Sequence, residues 1–313
     1  MRRPSSVLIV DEMHGSILPL LRDAGFDPVY LPVIDRHGIL EIIADFEGLI
    51  IRSKTDVDQE LISRGENLKF VARAGAGIDK LDIDLLEKRR ILVVNAPEGN
   101  KDALGEHALG MLLSLLHRIP YAHGQIAGGT WDREGNRGIE LKNKTIGIYG
   151  MGYMGKSFGS KLKALGCEVI GYDIKEVEDA EDIKQVDLET FKERTEILSI
   201  HVPLKNDTKY LFNKGYLSAF KKLQVVLNTA RGEVLRTKDL VELLEEGKLY
   251  GAALDVLENE KLATYTPKES DLLKRLTKHP NVILTPHVGG WTFESYARIN
   301  EVLIEKLVAA FPA

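Results

Sequence analysis

A chain of 313 residues is long enough for about two domains, and 44% hydrophobic residues supply two ordinary cores. A formal net charge of −5 leaves no global basic field for nucleic acid, and no stretch approaches the roughly 20 apolar residues a membrane span needs. The single cysteine, Cys167, excludes an intramolecular disulfide and a cysteine metal cluster; it suits a reducing compartment and reads as a packing residue.

The N-terminal Met1-Arg2-Arg3-Pro4-Ser5-Ser6 is basic, but the apolar run at 7–10 is too short for a signal-peptide core, so a soluble cytoplasmic protein is expected. Short apolar runs at 7–10, 27–31, 48–52, 70–72 and 92–94 read as strands, with helices at 17–24, 39–46, 58–63 and 83–88 between them. Such alternation gives a doubly wound parallel sheet. Pro19 leaves the start of the first helix open. A long buried helix is expected over 103–116, closed by Pro120. The polar stretch that follows holds Gly124, Gly128, Gly129, Gly135 and Gly138 and reads as an arm on the surface or on a partner subunit.

The next segment organises the chain. An apolar strand at 146–149 runs into Gly150-x-Gly152-x-x-Gly155, a helix follows over 156–165, and a second strand over 168–172 ends on Asp173. Gly150 allows the tight turn, Gly152 lets a pyrophosphate approach the backbone, and Gly155 lets helix and strand pack closely. Free N–H groups at the helix start face the phosphates. Asp173, 18 residues past Gly155 (173 − 155), is placed to accept from the adenosine ribose hydroxyls. A carboxylate there repels a 2′-phosphate and favours NAD over NADP, a preference that Lys175 close by would soften. A second βα series continues with strands at 196–200, 225–228, 250–254 and 282–284 and helices at 238–246 and 293–308.

The linked motifs along this chain are Arg52-Ser53-Lys54-Thr55, Gly75-Ala76-Gly77-Ile78-Asp79, Asn95-Ala96-Pro97-Glu98-Gly99-Asn100, Glu106-His107, the glycine turn, His201-Val202-Pro203-Leu204, Asn228-Thr229-Ala230-Arg231-Gly232, Leu254-Asp255-Val256 with Glu260, and Thr285-Pro286-His287-Val288-Gly289-Gly290. In this order they resemble the D-isomer-specific 2-hydroxy acid dehydrogenases over nearly the whole chain, closest in pattern to short D-3-phosphoglycerate dehydrogenases. The resemblance implies an α/β chain of two doubly wound parallel-sheet domains: a Rossmann NAD-binding domain, 99–288, inserted into a flavodoxin-like substrate-binding domain made of 1–98 and 289–313.

The family's catalytic residues match Arg231, Glu260 and His287. Arg231 offers a planar fork of donors to the substrate carboxylate. His287 takes the hydroxyl proton during oxidation and returns it during reduction, and Glu260 orients the imidazole. Glu260 keeps the family spacing, 29 residues after Arg231 and five after Asp255, although Lys261 replaces the usual proline and Glu258 is a neighbouring candidate. His201 resembles part of the adenine-side wall, and His107 reads as structural. The cofactor contacts implied are Gly150, Gly152, Tyr153, Met154 and Gly155 at the pyrophosphate, Asp173 at the ribose, Val202, Pro203, Thr229 and Ala230 along the wall, and Asp255 and Gly289 at the nicotinamide.

On the substrate side, Gly75, Ala76 and Gly77 offer backbone N–H groups to a carboxylate. Arg52 and Arg73 match positions that hold the phosphate in the phosphoglycerate dehydrogenases. Trp291 stands where a small residue is usual, and the 261–278 segment is longer than common. The reading is an NAD-dependent oxidation of D-3-phosphoglycerate to 3-phosphohydroxypyruvate in serine biosynthesis, by a homodimer, with no metal, nucleic acid or membrane involved. The alternatives are a glyoxylate or hydroxypyruvate reductase, and an NAD-sensing corepressor-like scaffold. The appended regulatory domain of longer phosphoglycerate dehydrogenases is not expected.

Overall fold

The computed structural model describes residues 5–177 and 183–312; the basic N-terminal residues 1–4 lie outside them. The chain divides into two compact units, Met1–Lys101 with Trp291–Ala313, and Asp102–Gly290. Each is an α/β layer structure around a sheet in which every strand pair is parallel.

The first unit holds β1 (Ser6–Ile9), β2 (Asp27–Tyr30), β3 (Gly48–Ile51), β4 (Phe70–Arg73) and β5 (Leu92–Asn95), in the order β2-β1-β3-β4-β5. Successive side chains of a strand face opposite sides, and the core follows that period of two. Val7, Ile9, Ile50, Phe70 and Ala72 pack on one face with Ile299, Leu303 and Leu307 of the helix Phe293–Ala310. Leu8, Val10, Leu49, Ile51 and Val71 pack on the other with Ile39, Leu61 and Leu86. Burial on both faces explains why these strands are continuous apolar runs. Pro19 sits in the first turn of the helix Ile17–Asp23, where its missing N–H has no intrahelical acceptor to lose.

The second unit holds β6 (Thr145–Tyr149), β7 (Glu168–Tyr172), β8 (Lys184–Gln185), β9 (Ile197–Ile200), β10 (Val225–Asn228), β11 (Gly251–Leu254) and β12 (Val282–Leu284), in the order β12-β11-β10-β9-β6-β7-β8. The order turns back between β6 and β9. In open parallel sheets, ligands gather outside the carboxyl ends of the strands at such a switch point.

The structure departs from the sequence reading at several elements. Pro120 does not close the long helix. That helix, Pro97–Leu116, ends before Arg118 in a left-handed conformation, and Pro120 lies in the first turn of a new helix, Ile119–Ala127, which contains Gly124. The arm is therefore partly helical. The 261–278 segment, to which the sequence assigned no element, carries the helix Pro267–Lys278, which starts on a capping box between Thr266 and Glu269. It buries Leu276 and Leu272 against the core and pairs Arg275 with Glu245 on the helix Thr237–Glu245. It is the crossover that β11 and β12 need to lie parallel.

Candidate active site

In the second unit the candidate residues lie at the carboxyl edge of one sheet: the glycine turn after β6, Asp173 after β7, His201 after β9, the 229–232 turn after β10, Asp255 after β11, and Thr285 to Gly289 after β12.

The glycine turn has a reason for each glycine. Gly150 has φ +97°, in the left-handed region, and a Cβ there would stand 2.7 Å from the His201 carbonyl oxygen. A Cβ on Gly152 would meet nothing within 4 Å, so open space lies over the turn. A Cβ on Gly155 would stand 2.2 Å from the Gly150 carbonyl oxygen and 2.8 Å from Ile148 Cγ2, so the helix Tyr153–Ala164 packs on the strand only without it. The Asp173 carboxylate accepts from the Met151 N–H at 2.8 Å and the Lys175 N–H at 3.1 Å, which fixes it beside the turn. Tyr153 is half exposed at the helix start. After β10 the buried Thr229 hydroxyl has no hydrogen-bond partner among the described residues. A buried hydroxyl ordinarily has a partner. Open space over Gly152, a helix start, a fixed carboxylate and an unsatisfied hydroxyl fit a dinucleotide.

The His201 ring packs against Phe158 and shares a hydrogen bond with the Ser199 hydroxyl at 2.8 Å. Desolvation pushes its imidazole down to about 4, so it is neutral at physiological pH.

After β10, the Asn228 side chain ties the turn, donating to the Arg231 carbonyl at 2.9 Å and accepting from the Ala230 N–H at 3.1 Å. Gly232 is required because a Cβ there would lie 2.0 Å from the Leu257 carbonyl. The turn carrying Arg231 and the loop carrying Glu260 thus touch backbone to backbone. Arg231 itself donates to the Ala230 carbonyl at 2.7 Å and is half-buried.

His287 Nδ1 lies 2.9 and 3.0 Å from the two Glu260 carboxylate oxygens. Both side chains are about half exposed. Glu258 faces elsewhere: its carboxylate accepts from the Thr237 N–H at 2.6 Å, at the start of the helix Thr237–Glu245. The His287 backbone is left-handed, φ +56°, and its N–H donates to the carbonyls of Asp255 at 2.8 Å and Thr285 at 3.1 Å.

Asp255 is fully buried and holds this loop from below. Its carboxylate accepts from the Thr285 hydroxyl at 2.6 Å and from the N–H groups of Val288 at 3.0 Å and Gly289 at 2.8 Å. His107 Nε2 stands 3.4 Å from it and 3.0 Å from the Thr285 hydroxyl. Burial would raise the Asp255 carboxyl, but the hydrogen bonds from His107, Thr285, Val288 and Gly289 outweigh it and hold it below the ordinary range. Its desolvation is therefore offset within the chain. The sequence reading set His107 aside as structural and gave Thr285 no role. The available signal was a polar ring in the helix Pro97–Leu116 next to the buried Ala108 and one turn before the buried Met111.

In the first unit, Arg52 follows β3 and Arg73 ends β4. Arg73 Nε donates to the Arg52 carbonyl at 3.1 Å, and its guanidinium crosses Gly75, where a Cβ would stand 1.8 Å from Nη1. Gly75, φ +137°, is buried, while Ala76 and Gly77 are half-buried. In the second unit, Lys261 after Glu260 caps a short 3-10 turn, Leu262–Thr264.

Residues 109–289 match the model of the D-isomer specific 2-hydroxyacid dehydrogenase, NAD binding domain. The chain is 34% identical over 305 residues to the D-3-phosphoglycerate dehydrogenase of Methanocaldococcus jannaschii, covering 96% of this chain but 56% of that protein, so it spans about half the length of that relative. It is 32% identical over 274 residues to the hydroxypyruvate reductase of Thermotoga maritima, covering 88% of each. The crystal structure of D-lactate dehydrogenase from Aquifex aeolicus complexed with NAD and lactic acid superposes with a TM-score of 0.82 at 25% identity, over 97% of this chain and 95% of that one. The doubly wound sheets, the glycine turn and these likenesses agree: the chain belongs to the D-isomer specific 2-hydroxyacid dehydrogenase family and carries that family's NAD-binding domain.

Proposed function

We propose that the protein is an NAD-dependent D-2-hydroxy acid dehydrogenase that oxidises D-3-phosphoglycerate to 3-phosphohydroxypyruvate, as in serine biosynthesis. The observation that carries the reaction class is the His287–Glu260 pair, 2.9 Å apart at the carboxyl edge of the NAD-binding unit. An ionised carboxylate only accepts, so Nδ1 donates to Glu260 and Nε2 is left as the proton acceptor. On oxidation Nε2 takes the C2 hydroxyl proton, and Glu260 stabilises the imidazolium that results. The Arg231 fork holds the carboxylate beside C2 and orients that carbon. Bound NAD supplies the hydride chemistry. Gly150, Gly152, Tyr153, Met154, Gly155 and Asp173 would hold it, together with Val202, Pro203, Thr229, Ala230, Asp255 and Gly289.

The Arg52 and Arg73 pair supports the phosphorylated acid, since a dianionic phosphate calls for more than one cation. Gly75 to Gly77 would nest the acid through backbone N–H groups. The similarity to a hydroxypyruvate reductase over 88% of both chains favours a second reading, reduction of hydroxypyruvate or glyoxylate. The reading includes a cytoplasmic setting and a homodimer, for which exposed Ile119, Tyr121 and Ile126 on one helix offer apolar surface.

Steady-state rates with NADH on phosphohydroxypyruvate, hydroxypyruvate and glyoxylate test it. The expected order puts the phosphorylated acid first by at least about tenfold in kcat/KM, the 1.4 kcal/mol of one charge-assisted contact. Preference for either unphosphorylated acid would overturn the substrate and leave the reaction class standing.

A further inference from the structure

The Arg52 guanidinium lies 3.8 Å from the centroid of the Trp291 ring and 5.0 Å from that of Tyr296. The two rings are 4.6 Å apart at 51°, and His14 meets Tyr296 edge-on at 5.5 Å. Among the described residues no carboxylate pairs with this guanidinium. Asp11 is engaged elsewhere: its oxygens accept from the backbone N–H groups of Arg52 at 2.6 Å and Lys54 at 3.1 Å and from the Thr55 hydroxyl at 3.0 Å. Burial pulls the guanidinium below the ordinary arginine value, against Tyr296, Asp11 and Glu12, yet it stays charged. The Tyr296 hydroxyl takes one of its hydrogen bonds; a half-buried cation with its face covered by rings and no carboxylate partner keeps the rest of its donor edge for an incoming anion.

We propose that Trp291 and Tyr296 are positioning residues for Arg52, a seat of two rings that aims its guanidinium edge at an anionic C3 substituent of the substrate. The inference deepens the reading above and rests on Arg52 serving the substrate. A stacked guanidinium loses few rotamers on binding, so its bidentate hydrogen bonds to a phosphate keep more of their strength. An unstacked arginine on the same strand end would sample many rotamers and discriminate little.

A purely local role for Trp291 is available, and the test must exclude it. Thr292 caps the helix Phe293–Ala310 in a capping box with Ser295, which makes Trp291 and Tyr296 the N′ and N4 residues of a hydrophobic staple. Trp291→Leu keeps an apolar staple and removes the ring over the cation; Trp291→Phe keeps both. With phosphohydroxypyruvate, Trp291→Leu should raise KM about tenfold, and Trp291→Phe should bring it back to within about threefold of wild type. KM for glyoxylate, which has no C3, should change less than about threefold in each. Equal rises for both acids, or no rise, would overturn the seat.

A second measurement is independent of turnover. The chain has two tryptophans, Trp131 and Trp291. In a Trp131→Phe background, emission therefore reports Trp291 alone. Titration with inorganic phosphate should change that emission saturably, chloride at equal ionic strength should not, and Arg52→Gln should abolish the change. An identical response to chloride, or a response that survives Arg52→Gln, would overturn the proposal. A wild type that prefers unphosphorylated acids yet binds phosphate beside Trp291 would instead sink the substrate assignment and keep the seat.

Discussion

A histidine in a left-handed backbone conformation carries a cost, of order 1–3 kcal/mol, and proteins keep such residues where the surroundings dictate them. His287 is held there by two carbonyls accepting its N–H and by Asp255 anchoring the following residues. His287 and Glu260 were legible as residues, from spacing and resemblance. The support was not. His107 and Thr285 are distant in sequence from Asp255, and only folding brings their side chains to its carboxylate. His201 illustrates the opposite case, a desolvated ring whose hydrogen bond among the described residues is shared with the Ser199 hydroxyl. Its folded pKa, about 4, lies below the ordinary 6.5, so the unfolded chain binds a proton that the folded chain refuses. The stability it permits is full above about pH 6.5 and falls as the pH drops toward 4, by at most about 3 kcal/mol. Chemical denaturation at pH 7.5, 5.5 and 4.5 should therefore show a shallower loss for His201→Asn than for wild type; equal slopes would contradict the assignment.

At the scale of elements, the buried strands were the most readable parts, because a strand covered on both faces must be apolar throughout and ends where turn residues begin. Strand boundaries moved by at most a residue, whereas the long helix starts at Pro97, not 103, and the helix after the glycine turn at Tyr153, not 156. The helices Leu188–Arg194, Lys214–Ser218 and Pro267–Lys278 were not read, the first two being short and the third polar on most of its surface. Pro120 misled because a proline that ends one helix looks the same as one that opens the next. The strand–turn–helix unit at 145–164 yields a paired prediction. Gly152→Ala places a methyl in open space at φ −76°, so Tm should hold within about 2 °C while NADH binding weakens at least about tenfold. Gly155→Ala meets backbone at 2.2 Å and should cost about 1–3 kcal/mol of stability. Calorimetry and NADH fluorescence titration measure both; equal loss of Tm in the two variants would mean that the turn is structural only.

For the whole molecule, two parallel-sheet units each carry their candidate groups at strand carboxyl ends. Arg52 and Arg73 sit on one unit, and the glycine turn with the His287–Glu260 pair sits on the other. No helix among the described residues is long and apolar enough to cross a membrane. The reaction class rests on unit two, while the choice of acid rests on unit one, so an error in the second leaves the first intact. The central claim is that His287 moves the substrate proton. The most direct measurement compares His287→Ala with wild type on whichever of the three acids is turned over fastest, with NADH affinity determined in parallel. The account predicts a fall in kcat of at least about a thousandfold with the NADH Kd within about twofold. Turnover within about tenfold of wild type, with NADH still bound, would place the acid–base group elsewhere and contradict it.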